Sequence, residues 1–364
     1  MQKTPYQASH VRSSMTETQM LALLEQHYGI AARRLLPLGR GLINRTYLAE
    51  LDSGQRHVLQ ALNAIFPPAI NEDIDAVTSF LAAGGMTTPR LVRSLTGAAW
   101  VDYEGETWRL LSWVDGISLD RLEGADQAAG AGGLLGRFHH RLADFKHRFH
   151  NPRLGVHDTA KHLRNLRQAL RDGDAHRHIS VIRPLAIDIL DAAASLTPLP
   201  PLPDRVVHGD PKINNILFDA AGARALCLVD LDTLGHMPLP LELGDALRSW
   251  CNMAGEDSVE ASFSESLFES AISAYAGETR SWLRSAEWES IVPATQTIFV
   301  ELAARFCADA LQESYFGWDA GRYDSRSEHN QVRARGQLAA FHACRAQTER
   351  LDNIVRAAFV AGKA

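Results

Sequence analysis

No run of about 18 apolar residues occurs anywhere in the 364-residue chain, so no membrane-spanning helix and no membrane partner are expected. The opening stretch lacks the apolar core of a signal peptide, which leads to the expectation of a cytoplasmic protein. Basic residues are not in excess. Lysine and arginine number 37 against 43 acidic residues, for a formal net charge of −6 and a pI near 6.2. General nucleic-acid binding wants a basic face, so that partner is not expected either. Cysteine is scarce: Cys227, Cys251, Cys307 and Cys344 stand far apart with no C-x-x-C pair. Structural zinc is therefore not expected, and three of the four sit in apolar surroundings that read as buried, reduced thiols. Internal repeats and low-complexity tracts are also missing.

What is present is an ordinary globular composition, 46% apolar and 22% charged. The length is too great for one core and suits two lobes of unequal size. Residues 1–13 are expected to be disordered. A helix is predicted over 16–28, capped by Thr16 or Ser14, with Met20, Leu21, Leu23 and Leu24 on its apolar side and Gly29 as its stop. Strand-like runs follow at Ala32–Pro37, Arg45–Leu51 and 56–62, the last two joined by the Asp52-Ser53-Gly54 turn. A helix over 72–83 and strands over 91–94, 98–103 and 107–114 complete a mostly antiparallel sheet. Beyond Gly116 the period changes to that of helices, at 126–149, 159–172 and 180–195. A proline-rich connector over 198–203 leads to two short strands, Ile216–Phe218 and 225–229, and from about 240 the pattern is nearly all helical. The expected fold is α+β: a small β-rich N-terminal lobe over 14–115 and a larger, mostly helical C-terminal lobe over 116–364, hinged near 112–118.

Three segments carry chemistry. In His208-Gly209-Asp210-Pro211-Lys212-Ile213-Asn214-Asn215 an aspartate precedes an asparagine by five residues, and an apolar strand follows. Phosphoryl transfer needs a carboxylate to accept the substrate hydroxyl proton, and oxygen ligands for Mg²⁺; this spacing supplies both on one short loop. Lys212 stands where it could neutralise charge on the moving group. About 20 residues on, Leu226-Cys227-Leu228-Val229-Asp230-Leu231-Asp232 reads as a strand ending in a metal-binding Asp230, with Asp232 on the same side if the strand continues. The third segment, Gly39-Arg40-Gly41-Leu42-Ile43-Asn44-Arg45-Thr46, is a glycine-bearing turn whose amides could approach phosphate. Each has a plain alternative: a polar turn, an aspartate cap, a hairpin connection.

Together these segments resemble the aminoglycoside phosphotransferase and choline kinase superfamily, which shares the protein-kinase fold. Within it the likeness is greatest to the N-acetylhexosamine 1-kinases and their bacterial relatives. It runs from Gly39 to about Leu338 and rests most on HGDPKINNILFD, VDLDTLG, LGDALR, ELAARFCADALQESYF and HNQVRARGQL. The resemblance implies that Asp210 is the catalytic base, assisted by Lys212, and that Asn215 and Asp230 bind Mg²⁺. It implies an ATP site built from Gly39, Arg40, Gly41, Asn44, Thr46 and Gln60, with Ser112, Trp113 and Val114 as the hinge beside adenine. Asp158, Thr159, Asp232, Arg305 and Tyr315 fall where the acceptor pocket is expected. For Arg305 a helix salt bridge, and for Tyr315 a core position, remain the plain alternatives. Asp245 and Arg248 are expected to buttress the catalytic loop. Two departures stand out. The third strand carries Gln60 where the fold usually places a lysine or arginine, leaving Arg40 or Arg45 to compensate, and the glycine loop has Leu42 where the sugar kinases often have histidine.

The expected activity is transfer of the ATP γ-phosphoryl group to the hydroxyl of a small-molecule acceptor, in the sharpest version a sugar. An aminoglycoside, choline or amino-alcohol kinase, and a nucleotide-binding pseudokinase, stay open as alternatives. A monomer or a homodimer is expected.

Overall fold

The computed structural model describes residues 15–39, 43–152 and 156–360; the expectation for residues 1–13 lies outside them. Contacts divide the chain into two units. One runs to Asp75 and resumes over Arg90–Trp113; the other comprises Ala76–Pro89 and Val114–Ala364.

The first unit opens with helix α1 (Glu17–Leu23). The Thr16 hydroxyl accepts the Gln19 amide while the Gln19 side chain returns to the Thr16 amide, a reciprocal cap that contributes about 1 kcal/mol. The helix widens into a π turn over Leu24–Tyr28 and stops at Gly29, whose φ of 66° an L side chain would resist. Strands β1 (Ala32–Pro37), β2 (Arg45–Leu51) and β3 (Arg56–Ala61) come next, then helix α2 (Ile70–Ala83), then β4 (Leu91–Val92), β5 (Val101–Tyr103) and β6 (Glu106–Ser112). They form one antiparallel sheet in the order β1-β2-β3-β6-β4, with β5 also paired to β6. Strand alternation sorts its two faces. Leu59 and Ala61 join Leu35, Ala49, Trp108 and Leu110 in a core closed by Met20, Leu23, Leu24 and Tyr28. Gln60, between them, faces the other way. Thr46, Gln60 and Arg109 lie directly opposite one another on successive strands.

The second unit carries β7 (Ile117–Ser118), α3 (Ala125–Leu142), α4 (Thr159–Asp172), α5 (Ile179–Ala194), β8 (Asp204–Val207), β9 (Ile216–Phe218), β10 (Ala225–Leu228) and β11 (Gly235–Pro238). Helices α6 (Leu239–Trp250), α7 (Glu265–Thr279), α8 (Ser285–Glu289), α9 (Ile291–Gln312), α10 (Arg326–Arg345) and α11 (Thr348–Val360) complete it. The helix expected to reach 149 ends at Leu142. Phe145, which keeps the helical spacing, instead plugs its ring against Phe80 at 4.9 Å from a loop. Helix α9 is long and apolar enough to cross a membrane, yet 89% of that stretch is buried inside the unit, so it is a core helix. Two small antiparallel ribbons, β10-β9-β7 and β11-β8, position the site. Strand β8 delivers the chain to His208 and β9 leads away from Asn215. Strand β10 delivers it to Val229 and Asp230, and β11 leads away from Leu234.

Candidate active site

Residues 208–215 are held from several sides. A carbonyl only accepts, so His208 donates from Nε2 to the Val229 oxygen at 2.9 Å, and its Nδ1 accepts the Asp210 amide at 3.3 Å. Gly209 has φ 85°, and a Cβ there would lie 2.1 Å from the Thr233 carbonyl oxygen, so no other residue fits. Thr233 donates its hydroxyl to the His208 oxygen at 2.8 Å. The last turn of α6 grips the far end: Ile213 N–H donates to Ser249 Oγ at 3.1 Å, and Trp250 Nε1 to the Pro211 oxygen at 2.9 Å. One turn into the same helix, the fully buried Glu242 accepts the His208 and Gly209 amides at 2.8 and 3.2 Å on Oε1. Its Oε2 meets His139 Nε2 at 3.1 Å, and His139 Nδ1 meets the Tyr275 hydroxyl at 2.9 Å. Helices α3, α6 and α7 thus brace the two peptide units ahead of Asp210.

On this loop Asp210 Oδ2 accepts from Lys212 Nζ at 2.7 Å and from Asn215 Nδ2 at 3.2 Å; the same amino group also donates to the Asp210 carbonyl at 2.9 Å. Burial alone would raise the Asp210 pKa. The Lys212 charge and hydrogen bond, with Arg248 and His208 behind them, hold it below the usual carboxylate value. Asp210 is therefore an anion at any ordinary pH. Asp230 is pushed the other way. Although solvent reaches it, the surrounding protein and the charges of Asp232 and Asp210 raise its pKa. Asp230 does not end a strand, as its sequence context suggests. Strand β10 stops at Leu228, Asp230 sits at φ 62°, and a 3₁₀ turn follows over Leu231–Thr233. Asp232 consequently does not share its direction by strand alternation and is buried at 2% exposure.

These donors suit a hard divalent cation. Asn215 spends its amino group on Asp210, which turns its Oδ1 elsewhere, and the Asp230 carboxyl stands among the acidic neighbours Asp232 and Asp210, whose charge a cation would offset. Among the described residues no three His, Cys, Asp or Glu side chains form a metal cage. A cation of the Mg²⁺ kind does not need one, because it keeps water and takes one or two protein oxygens together with substrate phosphates. Asp245 and Arg248, expected to buttress the catalytic loop, are bonded to each other: Arg248 Nε meets Asp245 at 2.7 Å and its NH1 meets Glu256 at 2.9 Å.

In the first unit, Gly39 follows β1 at φ 74°, Asn44 and Thr46 flank the start of β2, and Gln60 lies in β3 opposite Thr46; Arg40 and Gly41 lie outside the described residues. Asn44 Oδ1 accepts the Asn63 amide at 2.9 Å, tying the turn to the end of β3. Gln60 Nε2 donates to Thr46 Oγ1 at 3.0 Å. Ser112 ends β6, and its hydroxyl accepts the Arg90 amide at 2.9 Å. Trp113 lies under the Arg56 guanidinium at 5.2 Å, and Val114 opens the second unit. Arg45 is not free to replace a lysine beside Gln60, because it is ion-paired to Glu106 and set over the Trp108 ring.

Of the expected acceptor residues, Thr159 and Arg305 meet at Glu301 of α9. Thr159 donates to the fully buried Glu301 at 2.7 Å, and His157 Nδ1 meets the same carboxylate at 2.9 Å. Burial would raise the Glu301 pKa, but its bonds to His157 and Thr159 and the His157 charge lower it. Arg305 NH1 stands 3.9 Å from Glu301, and its guanidinium lies 5.6 Å over Phe316. Tyr315 is no core residue: it is 71% exposed, edge-on to Phe316. Asp158 caps α4 by accepting the Lys161 amide at 2.8 Å. Sequence reasoning missed Glu242, Glu301 and Asp309. Asp309 accepts the amides of Ser314, Tyr315 and Phe316 and the side chain of Asn330, which fixes the loop bearing Tyr315. Asp309 reads in sequence as half of an ordinary helical ion pair, because Arg305 stands four residues before it.

A sheet-bearing unit with a glycine turn, and a helical unit with a braced aspartate loop, define a kinase-like phosphotransferase fold. Residues 34–284 match the profile of the phosphotransferase enzyme family, APH, and the chain belongs to that family. It is accordingly a small-molecule phosphotransferase that uses an alcohol group as acceptor. Solved structures share the fold. An amicoumacin kinase in complex with AMP-PNP, Ca²⁺ and its ligand superposes with a TM-score of 0.61 at 15% identity, covering 89% of this chain and 93% of that one. An aminoglycoside phosphotransferase from Alicyclobacillus acidocaldarius gives 0.56 at 18%, covering 89% and 94%. A choline/ethanolamine kinase family protein from Mesorhizobium loti gives 0.51 at 19%, covering 90% and 92%.

Proposed function

We propose that the chain is an ATP-dependent kinase whose acceptor is a sugar of the N-acetylhexosamine kind. The observation that carries this reading is the Asp210 loop: an ionised carboxylate fixed by Lys212 and Asn215 on a segment clamped by Glu242. Asp210 orients the acceptor hydroxyl and takes its proton as the new O–P bond forms and the bond to the ADP oxygen breaks. Lys212 offsets charge on the transferring group. Mg²⁺ would be held by Asn215 and Asp230, and when bound it neutralises charge on the β- and γ-phosphate oxygens. The nucleotide would be held by the turn at 39–46, by Gln60 and by 112–114. That the fold relative was solved with AMP-PNP and Ca²⁺ supports nucleotide and divalent-cation use here.

A neutral polyol is favoured over a cation by the state of the nearby acids. An amine acceptor needs open carboxylates, whereas Asp232 and Asp245 are buried and Asp245 is spent on Arg248. Thr159, Arg305 and Tyr315 offer the mixed donors and aromatic surface that a sugar ring uses. The test is ADP release across a panel of free N-acetylhexosamines, other sugars, aminoglycosides, choline and ethanolamine. Turnover with N-acetylhexosamines supports the proposal, and turnover with amines alone moves the assignment to the amino-alcohol side. No turnover and no slow ATP hydrolysis would leave a nucleotide-binding pseudokinase.

A further inference from the structure

Helices α9 and α10 are joined by residues 313–325, the loop that carries Tyr315, and this loop is fastened at both ends. Asp309 of α9 holds its start by accepting the amides of Ser314, Tyr315 and Phe316. The rest is held from α10. Arg333 NH1 donates to the Gly317 oxygen at 2.9 Å, and the Asp319 amide donates to His329 Nδ1 at 3.2 Å. The Tyr323 ring lies on the His329 imidazole, with centroids 4.0 Å apart and planes 13° from parallel. His329 is 1% exposed, and its Nε2 meets Asp257 Oδ1, on the loop between α6 and α7, at 2.8 Å. Arg333 Nε reaches the same oxygen at 2.8 Å, and Arg322 stands 3.9 Å from the other one. The Tyr323 hydroxyl donates to the Asp257 carbonyl at 3.3 Å.

These partners fit one protonation state of His329. A ring nitrogen that accepts an amide carries no hydrogen, so the hydrogen sits on Nε2 and is donated to Asp257. A second proton can go only to Nδ1, where it would confront the Asp319 N–H. The charges that face the ring are Asp257 from one loop, Arg322 from the other and Arg333 from α10 itself. Burial, with the charges of Arg333 and Arg322, outweighs the hydrogen bond and charge of Asp257 and holds the His329 pKa below its ordinary value. We propose that His329 is a positioning residue for acceptor binding: its neutral ring latches the loop that bears Tyr315, and protonation opens the latch. The proposal rests on the placement of Tyr315 at the acceptor. Its direction with pH follows from the lowered pKa: the latch is fully closed above about pH 6.5 and opens as pH falls through the folded value.

The test pairs amide hydrogen exchange with kinetics, in wild-type protein and in His329→Asn. The asparagine oxygen lies about where Nδ1 does, so it keeps an acceptor for the Asp319 amide but does not titrate, and Asp257 keeps Arg333. From about pH 8 to about pH 5, exchange over 317–323, corrected for its intrinsic pH dependence, should rise at least about tenfold relative to α9 in wild type and stay level in the variant. With N-acetylglucosamine as acceptor, the acceptor KM should rise roughly three- to tenfold more in wild type than in the variant, as the loss of one hydrogen bond implies, while the ATP KM changes alike in both. Wild-type loop exchange that stays level, or that rises equally in the variant, overturns the latch. Loop loosening without that excess rise in acceptor KM overturns the placement of Tyr315 at the acceptor and the positioning role with it. Absence of turnover with the sugar overturns the sugar reading, and the same comparison is then made with whichever acceptor of the panel does turn over. If urea denaturation shows the variant unfolded, the wild-type exchange of the loop against α9 decides alone.

Discussion

Glu242 offers a sharp test of how the aspartate loop is held. It is fully buried, and its two oxygens serve three donors: the His208 amide, the Gly209 amide and His139 Nε2. Replacement by alanine leaves all three without a partner in a place water does not reach. Each stranded buried donor costs roughly 1–3 kcal/mol, so Glu242→Ala should cost about 2–6 kcal/mol even if one finds a new acceptor. That is a large part of an ordinary stability of about 5–15 kcal/mol. Glu242→Gln is gentler, because its carbonyl oxygen still accepts both amides. Its amino group must face His139, which has to shift its proton to Nδ1 and turn Tyr275 into an acceptor. That exchange of a charged for a neutral partner should cost about 1–2 kcal/mol. Urea denaturation measures both. Steady-state ADP release should show kcat falling for the glutamine variant with little change in ATP KM, since the two amides that Glu242 holds lie directly ahead of Asp210. A loss below about 1 kcal/mol for the alanine variant, or equal losses for the two, would refute the clamp.

Two further expectations follow from the ionisable groups. Burial tends to lower the His157 pKa, but the hydrogen bond and charge of Glu301, with Asp245 behind, raise it above its ordinary value. A raised histidine pKa stabilises the fold fully below the unfolded value of about 6.5, and that contribution is lost as pH rises through the folded pKa. The urea midpoint should therefore decline above pH 6.5, and His157→Gln should flatten the decline; an identical slope in the variant would contradict the assignment. The four cysteines are buried and unpaired, and burial pushes Cys227, Cys307 and Cys344 up to about 12. A thiol reagent at pH 8 should find no reactive cysteine in the native protein and all four in urea; rapid native labelling would show otherwise.

Much of the site was legible in the sequence because its chemistry is local. Asp210, Lys212 and Asn215 lie within six residues, and the structure brings their side chains together as their spacing implies. Strands β1 and β2 follow from apolar and β-branched runs bounded by turn residues. The strands that escaped notice, β7, β8 and β11, are two to four residues long and exist only because a distant partner pairs with them. The kink at Asp230 is equally tertiary: Val229 is fixed by His208 and Asn215, and the chain must turn after it. Glu242 lies 34 residues from the amide it holds and reads in sequence as one more acid in a helix.

The most direct measurement of the central claim is turnover by Asp210→Ala beside wild-type protein, with Mg-ATP binding followed on the same samples. On the role proposed for Asp210, accepting the hydroxyl proton and placing the attacking oxygen, turnover should fall by at least about a hundredfold while nucleotide binding and the urea midpoint change little. Turnover within a few fold of wild type would contradict the assignment of Asp210 as the base.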